Sequence, residues 1–123
     1  MAAVALQRAS EFGLVHRDIK PSNLALDAAG VLKVLDFGIA KVPAGQNEDA
    51  GLTRSGANDR EILGTADYLA PEQAINSSAV DSRADVYSLG ATLYFLLAGH
   101  PPYPGRSTME KLLRKQMADP PPI

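Results

Sequence analysis

The chain has 123 residues, a formal net charge of -2 at pH 7 and no cysteine. This length allows at most one compact domain, and 46% hydrophobic with 21% charged residues is a composition that can bury a core. The charge balance offers no basic surplus for nucleic acid, so no nucleic-acid partner is expected. The absence of cysteine excludes disulfides, thiolate zinc sites and cysteine nucleophiles.

The sequence predicts neither a membrane segment nor a secretion signal. One long stretch without Asp, Glu, Lys or Arg runs through residues 86–105, but its strongly apolar part is only Leu89 to Ala98. That part is too short to span a bilayer and fits a buried helix. The N-terminus, MAAVALQRAS, has no basic residue ahead of its apolar residues, which argues against a signal peptide. We therefore expect a cytoplasmic location for this chain.

The first third of the chain predicts one helix and one β-hairpin. Residues 2–12 are rich in alanine and predict a helix, which Gly13 is placed to end in a left-handed turn. A polar run, residues 16–23, comes next. Two short apolar segments then flank an Asp/Gly turn and predict the strands of the hairpin, Leu24–Leu26 and Val31–Leu35.

The rest of the chain predicts a long loop followed by helices, which makes the fold α+β and mainly helical. Residues 39–69 lack periodicity and are rich in Gly, Asn, Asp, Ser and Thr, as in a loop. Pro71 suits the first turn of a short helix through Ile75. Two longer helices follow, one from a cap at Asp81 or Ser82 to about Ala98 and one from the capping box Ser107–Glu110.

Polar side chains lie at one end of the predicted hairpin. Asp18, Lys20 and Asn23 precede the first strand, and Asp36 follows the second. Because adjacent antiparallel strands bring these two ends together, an amide oxygen and a carboxylate can converge on one point. Oxygen ligands of this kind suit Mg²⁺, which fills its shell with water and phosphate oxygens. Asp18 could then accept a proton, and Lys20 could offset charge on a phosphate.

Four motifs follow one another along the chain: HRDIKPSN at 16–23, DFG at 36–38, GT at 64–65 and APE at 70–72. Together they resemble the motifs of the eukaryotic-like protein kinases, and their residues are most similar to the bacterial serine/threonine branch. The resemblance implies that residues 1–123 are a partial kinase domain, the large (C-terminal) lobe with a short hairpin at its catalytic loop. It also implies transfer of the ATP γ-phosphoryl group, with Mg²⁺, to Ser or Thr hydroxyls of a protein substrate.

The resemblance assigns roles in catalysis and nucleotide binding. Asp18 would be the catalytic base, Lys20 would contact the transferred phosphoryl group, and Thr65 would hydrogen-bond this pair. Asn23 and Asp36 would hold Mg²⁺ against the nucleotide phosphates. Ala25 departs from the family, which usually has a larger aliphatic residue beneath the adenine. The residues implied to contact ATP are Lys20, Asn23, Ala25 and Asp36.

Further residues would have structural roles. His16 and Phe37 would pack in the internal spine of the lobe. Asp85 would anchor the backbone of the catalytic loop from the central helix, whereas local sequence alone favours a capping box that begins at Ser82. The remaining structural residues are Gly38 and Glu72.

Arg17, which precedes the implied catalytic Asp, points to control by phosphorylation, because such an arginine usually pairs with a loop phosphate. Thr53 and Ser55 are the candidate acceptors. Glu61 lies four residues before Thr65, where some relatives carry the phosphorylated residue. We hypothesise that Glu61 partly substitutes for that phosphate against Arg17; a solvated loop glutamate is the alternative.

The sequence also departs from the family pattern. It contains no Gly-x-Gly, and the small lobe and last helices of the family are absent, so we expect weak nucleotide binding and little turnover from this chain alone. Glu72 would then lack its usual arginine partner, and uncovered apolar surface on the central helix predicts self-association. Two alternatives stay open, a truncated pseudokinase-like protein-binding module and a non-kinase metal-binding hairpin domain.

Overall fold

The computed structural model describes residues 1–37 and 63–123. Most of the predicted loop 39–69 lies outside the described residues. Glu61 is in that part of the loop, so the hypothesis that it pairs with Arg17 concerns a residue outside the described part. The other predicted site residues outside the described part are Gly38, Thr53 and Ser55. No helix in the described part is long and apolar enough to cross a membrane.

Helix α1 spans Ala2–Glu11 and ends where the sequence predicts. The N–H of Gly13 donates to the carbonyl of Ser10 at 2.9 Å, and Gly13 has a φ of 71°. A residue without Cβ adopts this left-handed conformation at little cost, which explains the glycine here. One apolar face of the helix is buried, namely Ala2, Leu6 and Ala9.

The two strands form the predicted antiparallel hairpin, with β1 at Leu24–Leu26 and β2 at Leu32–Val34. The turn is held by Asp27, whose Oδ1 accepts the N–H groups of Ala29 and Val31 at 2.9 Å each. Strand β2 is one residue shorter at each end than predicted. Pairing nevertheless continues beyond it, because the N–H of Leu35 donates to the carbonyl of Asn23 at 2.8 Å.

The described residues after position 70 include the α-helices α2 at Pro71–Ile75, α3 at Arg83–Ala98 and α4 at Thr108–Met117. At the start of α3 the N–H of Arg83 donates to Asp81 Oδ1, while Ser82 makes no side-chain cap. At the start of α4 the predicted cap is present, since Ser107 Oγ accepts the N–H of Glu110 at 3.2 Å.

The core of the described residues is small and lies beside the first turns of α3. Ala70, Val80 and Ala84 form its centre, with Val15 and Tyr87 packed against them. The largest side chains that are fully buried are Ile19, His16 and Thr92. Two of these three belong to the polar run of the sequence, so the core directly supports the loop at 16–23.

Residues 63–69, which we call the 63–69 turn, correct part of the loop prediction. The N–H of Asp67 donates to the Gly64 carbonyl, and the N–H groups of Tyr68 and Leu69 donate to the Thr65 carbonyl. This is hydrogen-bonded helical turn rather than irregular loop. Local periodicity does not reveal it because side chains of the distant helix α4 bind its carbonyls.

Candidate active site

The backbone of the loop at 16–23 is anchored by a buried carboxylate on α3. Asp85 is 3% exposed, and its two oxygens accept the N–H groups of His16 at 2.7 Å and Arg17 at 2.8 Å. The capping-box interpretation of Asp85 is therefore wrong, and the contact is the one that the kinase resemblance implies. Arg17 has a φ of 67°, a conformation that costs a non-glycine residue of order 1–3 kcal/mol and persists where contacts enforce it.

His16 connects this loop to the hairpin through both of its ring nitrogens. Its Nδ1 accepts the N–H of Asp18 at 3.2 Å, so Nε2 carries the proton and donates to the Leu35 carbonyl at 2.8 Å. The ring is fully buried, with its centroid 4.6 Å from that of Phe37. With both nitrogens bound to backbone groups, the imidazole ties the loop at 16–18 to the end of the hairpin.

Four predicted site residues form one polar network. Lys20 Nζ lies 3.6 Å from Asp18 Oδ2 and donates to Thr65 Oγ1 at 3.1 Å. Asn23 Nδ2 donates to the carbonyl of Asp18 at 2.8 Å and to its Oδ2 at 3.2 Å. The Asp18 and Lys20 side chains are each 15% exposed, so the carboxylate is held in place yet reachable.

Asn23 and Asp36 lie at the same end of the hairpin. The hydrogen bond from Leu35 N to Asn23 O fixes this placement, since Asp36 is the next residue. Asp36 is exposed and has a φ of 51°, a left-handed conformation uncommon for non-glycine residues. Because Asn23 Nδ2 binds Asp18, the amide oxygen is the atom that could bind a cation.

The Asn23 amide oxygen and the Asp36 carboxylate are a donor set that fits Mg²⁺. An amide oxygen and a carboxylate are hard ligands, and Mg²⁺ usually takes few of them from protein. The described residues contain no group of three or more His, Cys, Asp or Glu that could hold a metal. Water and phosphate oxygens would therefore have to complete the shell. Ala25, the other predicted nucleotide contact, is half-buried on β1 opposite Lys33.

A cleft of about 310 Å³ adjoins the network. Lys20 and Thr65 line it together with Pro21, Tyr68 and Phe95. The rings of Tyr68 and Phe95 meet edge to face with centroids 6.0 Å apart. The lining of the cleft therefore combines the polar groups of Lys20 and Thr65 with two aromatic rings.

Gln73 contacts the loop at 16–23, and the sequence analysis missed this contact. Its Nε2 donates to the Arg17 carbonyl at 3.0 Å, and its Oε1 accepts the N–H of Ala70 at 3.1 Å. It thus holds the loop at 16–23 while it caps α2. A glutamine at the third position of a helix that begins with proline is half of a capping box, and this signal could have identified it. Glu72, its neighbour, is exposed.

Two lysines on α4 were also missed, and no sequence signal reveals them. Lys115 Nζ donates to the carbonyls of Ala66 at 2.6 Å and Leu69 at 2.7 Å, and Lys111 Nζ donates to that of Leu63 at 2.9 Å. Burial lowers the pKa of Lys115 to about 8, an effect larger than the opposing attraction of Asp67. Their helix looks like a surface helix in the sequence, because charged residues are spread along it.

Comparison with known proteins agrees with this geometry. A family model described as the protein kinase domain matches residues 3–120. The serine/threonine-protein kinases PknB of Mycobacterium leprae and Mycobacterium tuberculosis are each 42% identical to the chain over 119 residues, which is 97% of the chain. PknB of Bifidobacterium longum, a probable serine/threonine-protein kinase, is 45% identical over 105 residues, or 85% of the chain. The chain spans only 14 to 18% of the length of these relatives. On this match and on the network around Asp18, the chain belongs to the protein kinase family.

Proposed function

We propose that this chain forms the large-lobe part of a serine/threonine protein kinase and carries its phosphotransfer site. The observation that carries the proposal is the hydrogen-bonded network of Asp18, Lys20, Asn23 and Thr65. When bound, ATP would supply the phosphoryl group, and Mg²⁺ would offset the charge that develops on its oxygens. Asn23 and Asp36 are the residues that would hold this metal.

The chain's own residues would act on the acceptor hydroxyl. Asp18 Oδ2 is oriented by the Asn23 amide, so the carboxylate can hold a Ser or Thr hydroxyl and take up its proton. The Lys20 ammonium beside it can neutralise charge on the phosphoryl oxygens. Thr65 fixes this ammonium at the edge of the cleft, where a protein substrate would lie.

We further propose that the chain alone has little or no turnover. Phosphoryl transfer depends largely on positioning of the nucleotide, and the sequence contains no Gly-x-Gly to cover its phosphates. The part of the site formed here would then need a second wall to hold ATP in line with the hydroxyl.

A graft tests the proposal. In this graft, residues 3–120 replace the matching segment of the Mycobacterium tuberculosis PknB, and transfer of labelled phosphate from ATP to a Ser/Thr peptide is measured beside the 123-residue chain. We expect transfer by the graft and none above background by the chain. A folded graft that binds Mg²⁺–ATP without transferring phosphate would contradict the proposal and favour the protein-binding module. Mg²⁺ binding by the chain without nucleotide would favour the metal-binding hairpin instead.

A further inference from the structure

Helix α4 bears two buried ammonium groups on one face. Lys111 and Lys115 are four residues apart and only 5% and 7% exposed. Lysine is rarely buried unless it is paired, because removal of its charge from water is costly. Their burial therefore requires partners, and these partners lie far away in the sequence.

The partners are in the 63–69 turn. Lys115 Nζ donates to the carbonyls of Ala66 and Leu69, and Lys111 Nζ donates to the carbonyl of Leu63. Lys111 Nζ also forms an ion pair with Oδ1 of Asp67. The Lys115 ammonium also lies 5.5 Å from the centre of the Tyr87 ring, on α3. Charge-assisted hydrogen bonds of this kind are stronger than neutral ones.

A glycine makes the approach of Lys111 feasible. A Cβ on Gly105 would lie 2.9 Å from Cγ of Lys111, which is closer than carbon atoms ordinarily approach. The absence of a side chain at this position thus leaves room for the lysine to cross toward the turn.

The turn in question carries Thr65, whose hydroxyl accepts from Lys20. We propose that Lys111 and Lys115, together the lysine clamp, are positioning residues that fix the Thr65 hydroxyl against Lys20, an inference that rests on the proposed function. The lysine clamp would contact neither the acceptor hydroxyl of the substrate nor the phosphoryl group. It acts through the turn, and so helix α4 controls the edge of the cleft where a protein substrate would lie.

Amide hydrogen exchange on the 123-residue chain provides the first test. Lys115→Met keeps the length of the side chain and removes its donors, and Lys111→Met does the same at the other site. We expect exchange at Asp67, Tyr68 and Leu69 to accelerate about tenfold or more in each variant, the loss expected for a charged hydrogen bond. Exchange across α3 should stay unchanged, and Gln116→Met, an exposed site on the same helix, should change neither region.

The reactivity of the Lys20 amine provides a second test, because it would not change if Lys111 and Lys115 stabilised only their own helix and the turn. Acylation of its amine, followed by mass spectrometry of the peptides, should increase severalfold in Lys115→Met, because the ammonium loses its contact with Thr65. Labelling of Lys33, an exposed lysine on β2, is the internal control. Unchanged Lys20 labelling in a folded variant would overturn the clamp, and so would equal acceleration of exchange in the turn and in α3.

Neither measurement requires nucleotide or activity, so the two proposals fail separately. If the wild-type graft is inactive but Lys20 labelling responds to Lys115→Met, the clamp stands and the proposed function fails. If the graft transfers phosphate but labelling does not respond, the clamp fails alone. Gly105→Ala is a second variant that should raise Lys20 labelling without removing any charge.

Discussion

At the residue scale, Asp85 shows how one carboxylate defines a loop. It lies inside α3, yet its oxygens accept two N–H groups almost 70 positions earlier in the chain. One of these N–H groups belongs to Arg17, which is in a left-handed conformation. The loop conformation that presents Asp18 and Lys20 therefore depends on a residue outside the loop.

Replacement of Asp85 should destabilise the fold measurably. In Asp85→Asn the amide nitrogen would face one of the two N–H donors, which leaves that buried donor unpaired at a cost of about 1–3 kcal/mol. We expect the free energy of unfolding in urea to fall by that amount. Asp81→Asn, at an exposed position that keeps its capping oxygen, is the control and should lower the free energy of unfolding much less than Asp85→Asn does. Equal stability of the two variants would contradict the anchoring role.

The buried Lys115 should make stability depend on alkaline pH. Its pKa is about 8 in the folded chain and near the ordinary 10.5 when unfolded, so the unfolded chain binds more protons between these values. Stability should therefore rise with pH through this window, with the full gain present above 10.5 and lost as pH falls through 8. Urea unfolding from about pH 7 to about pH 9.5 should show a rise of about 1 to 2 kcal/mol relative to Lys115→Met. Parallel pH profiles for the two proteins would refute this.

At the element scale, α3 has two glycines with different roles. The backbone conformation at the end of the helix requires a glycine at one position, whereas the helical conformation does not require the glycine in the interior. Gly99 follows the last helical residue with a φ of 77°, whereas Gly90 lies in the interior, where an added Cβ would meet nothing within 4 Å. Backbone conformation alone therefore distinguishes the two sites.

Alanine at these two positions should have opposite effects. Gly99→Ala forces a side chain into the left-handed region and should lower the free energy of unfolding by about 1 kcal/mol. Gly90→Ala improves helix propensity and should raise it by about 0.5–1 kcal/mol. Thermal unfolding of both variants beside the wild type measures the difference. A loss of stability in both would mean that the interior of α3 is constrained by packing at Gly90.

Elements with local signals were predictable, and those set by tertiary contacts were not. The end of α1 at Gly13 and the hairpin around Asp27 follow from turn residues adjacent in sequence. By contrast, the partners of Asp85, Lys111 and Lys115 lie more than 40 positions away. No local pattern specifies such partners. The family resemblance predicted the partners of Asp85, whereas nothing in the sequence predicted those of the two lysines.

The candidate site shows the same contrast between residues that sequence motifs predict and residues that only tertiary contacts reveal. Asp18, Lys20, Asn23 and Thr65 were predicted together from motif order, and the structure brings them into one network. Their catalytic and metal-binding roles remain predictions that only activity or binding can test. Gln73 was missed because the motif ended at the preceding residue, and its hydrogen bond to the Arg17 carbonyl spans 56 positions of sequence.

At the scale of the whole molecule, the central helix leaves apolar side chains in solvent. Val86, Leu93, Leu96 and Leu97 are 55 to 68% exposed. Exposed apolar surface of this kind favours association with other apolar surface. We therefore predict that self-association would involve this exposed surface of α3.

Self-association should depend on concentration and on this surface. Sedimentation velocity of the chain should show a mass that increases with concentration, and the double variant Leu93→Glu with Leu97→Glu should remain monomeric. The control is Leu113→Glu, which changes an exposed leucine on α4 instead. Association that persists in the double variant but disappears in the control would place the contact on α4.

The rate of phosphotransfer in the graft tests the central claim most directly. Asp18→Asn keeps the shape of the side chain and removes the proton acceptor, so the single-turnover rate should fall by about 10² to 10⁴. Asp119→Asn, an exposed carboxylate near the end of the chain, should leave the rate unchanged. A graft that transfers phosphate equally well with Asn at position 18 would contradict the claim that this carboxylate serves as the base.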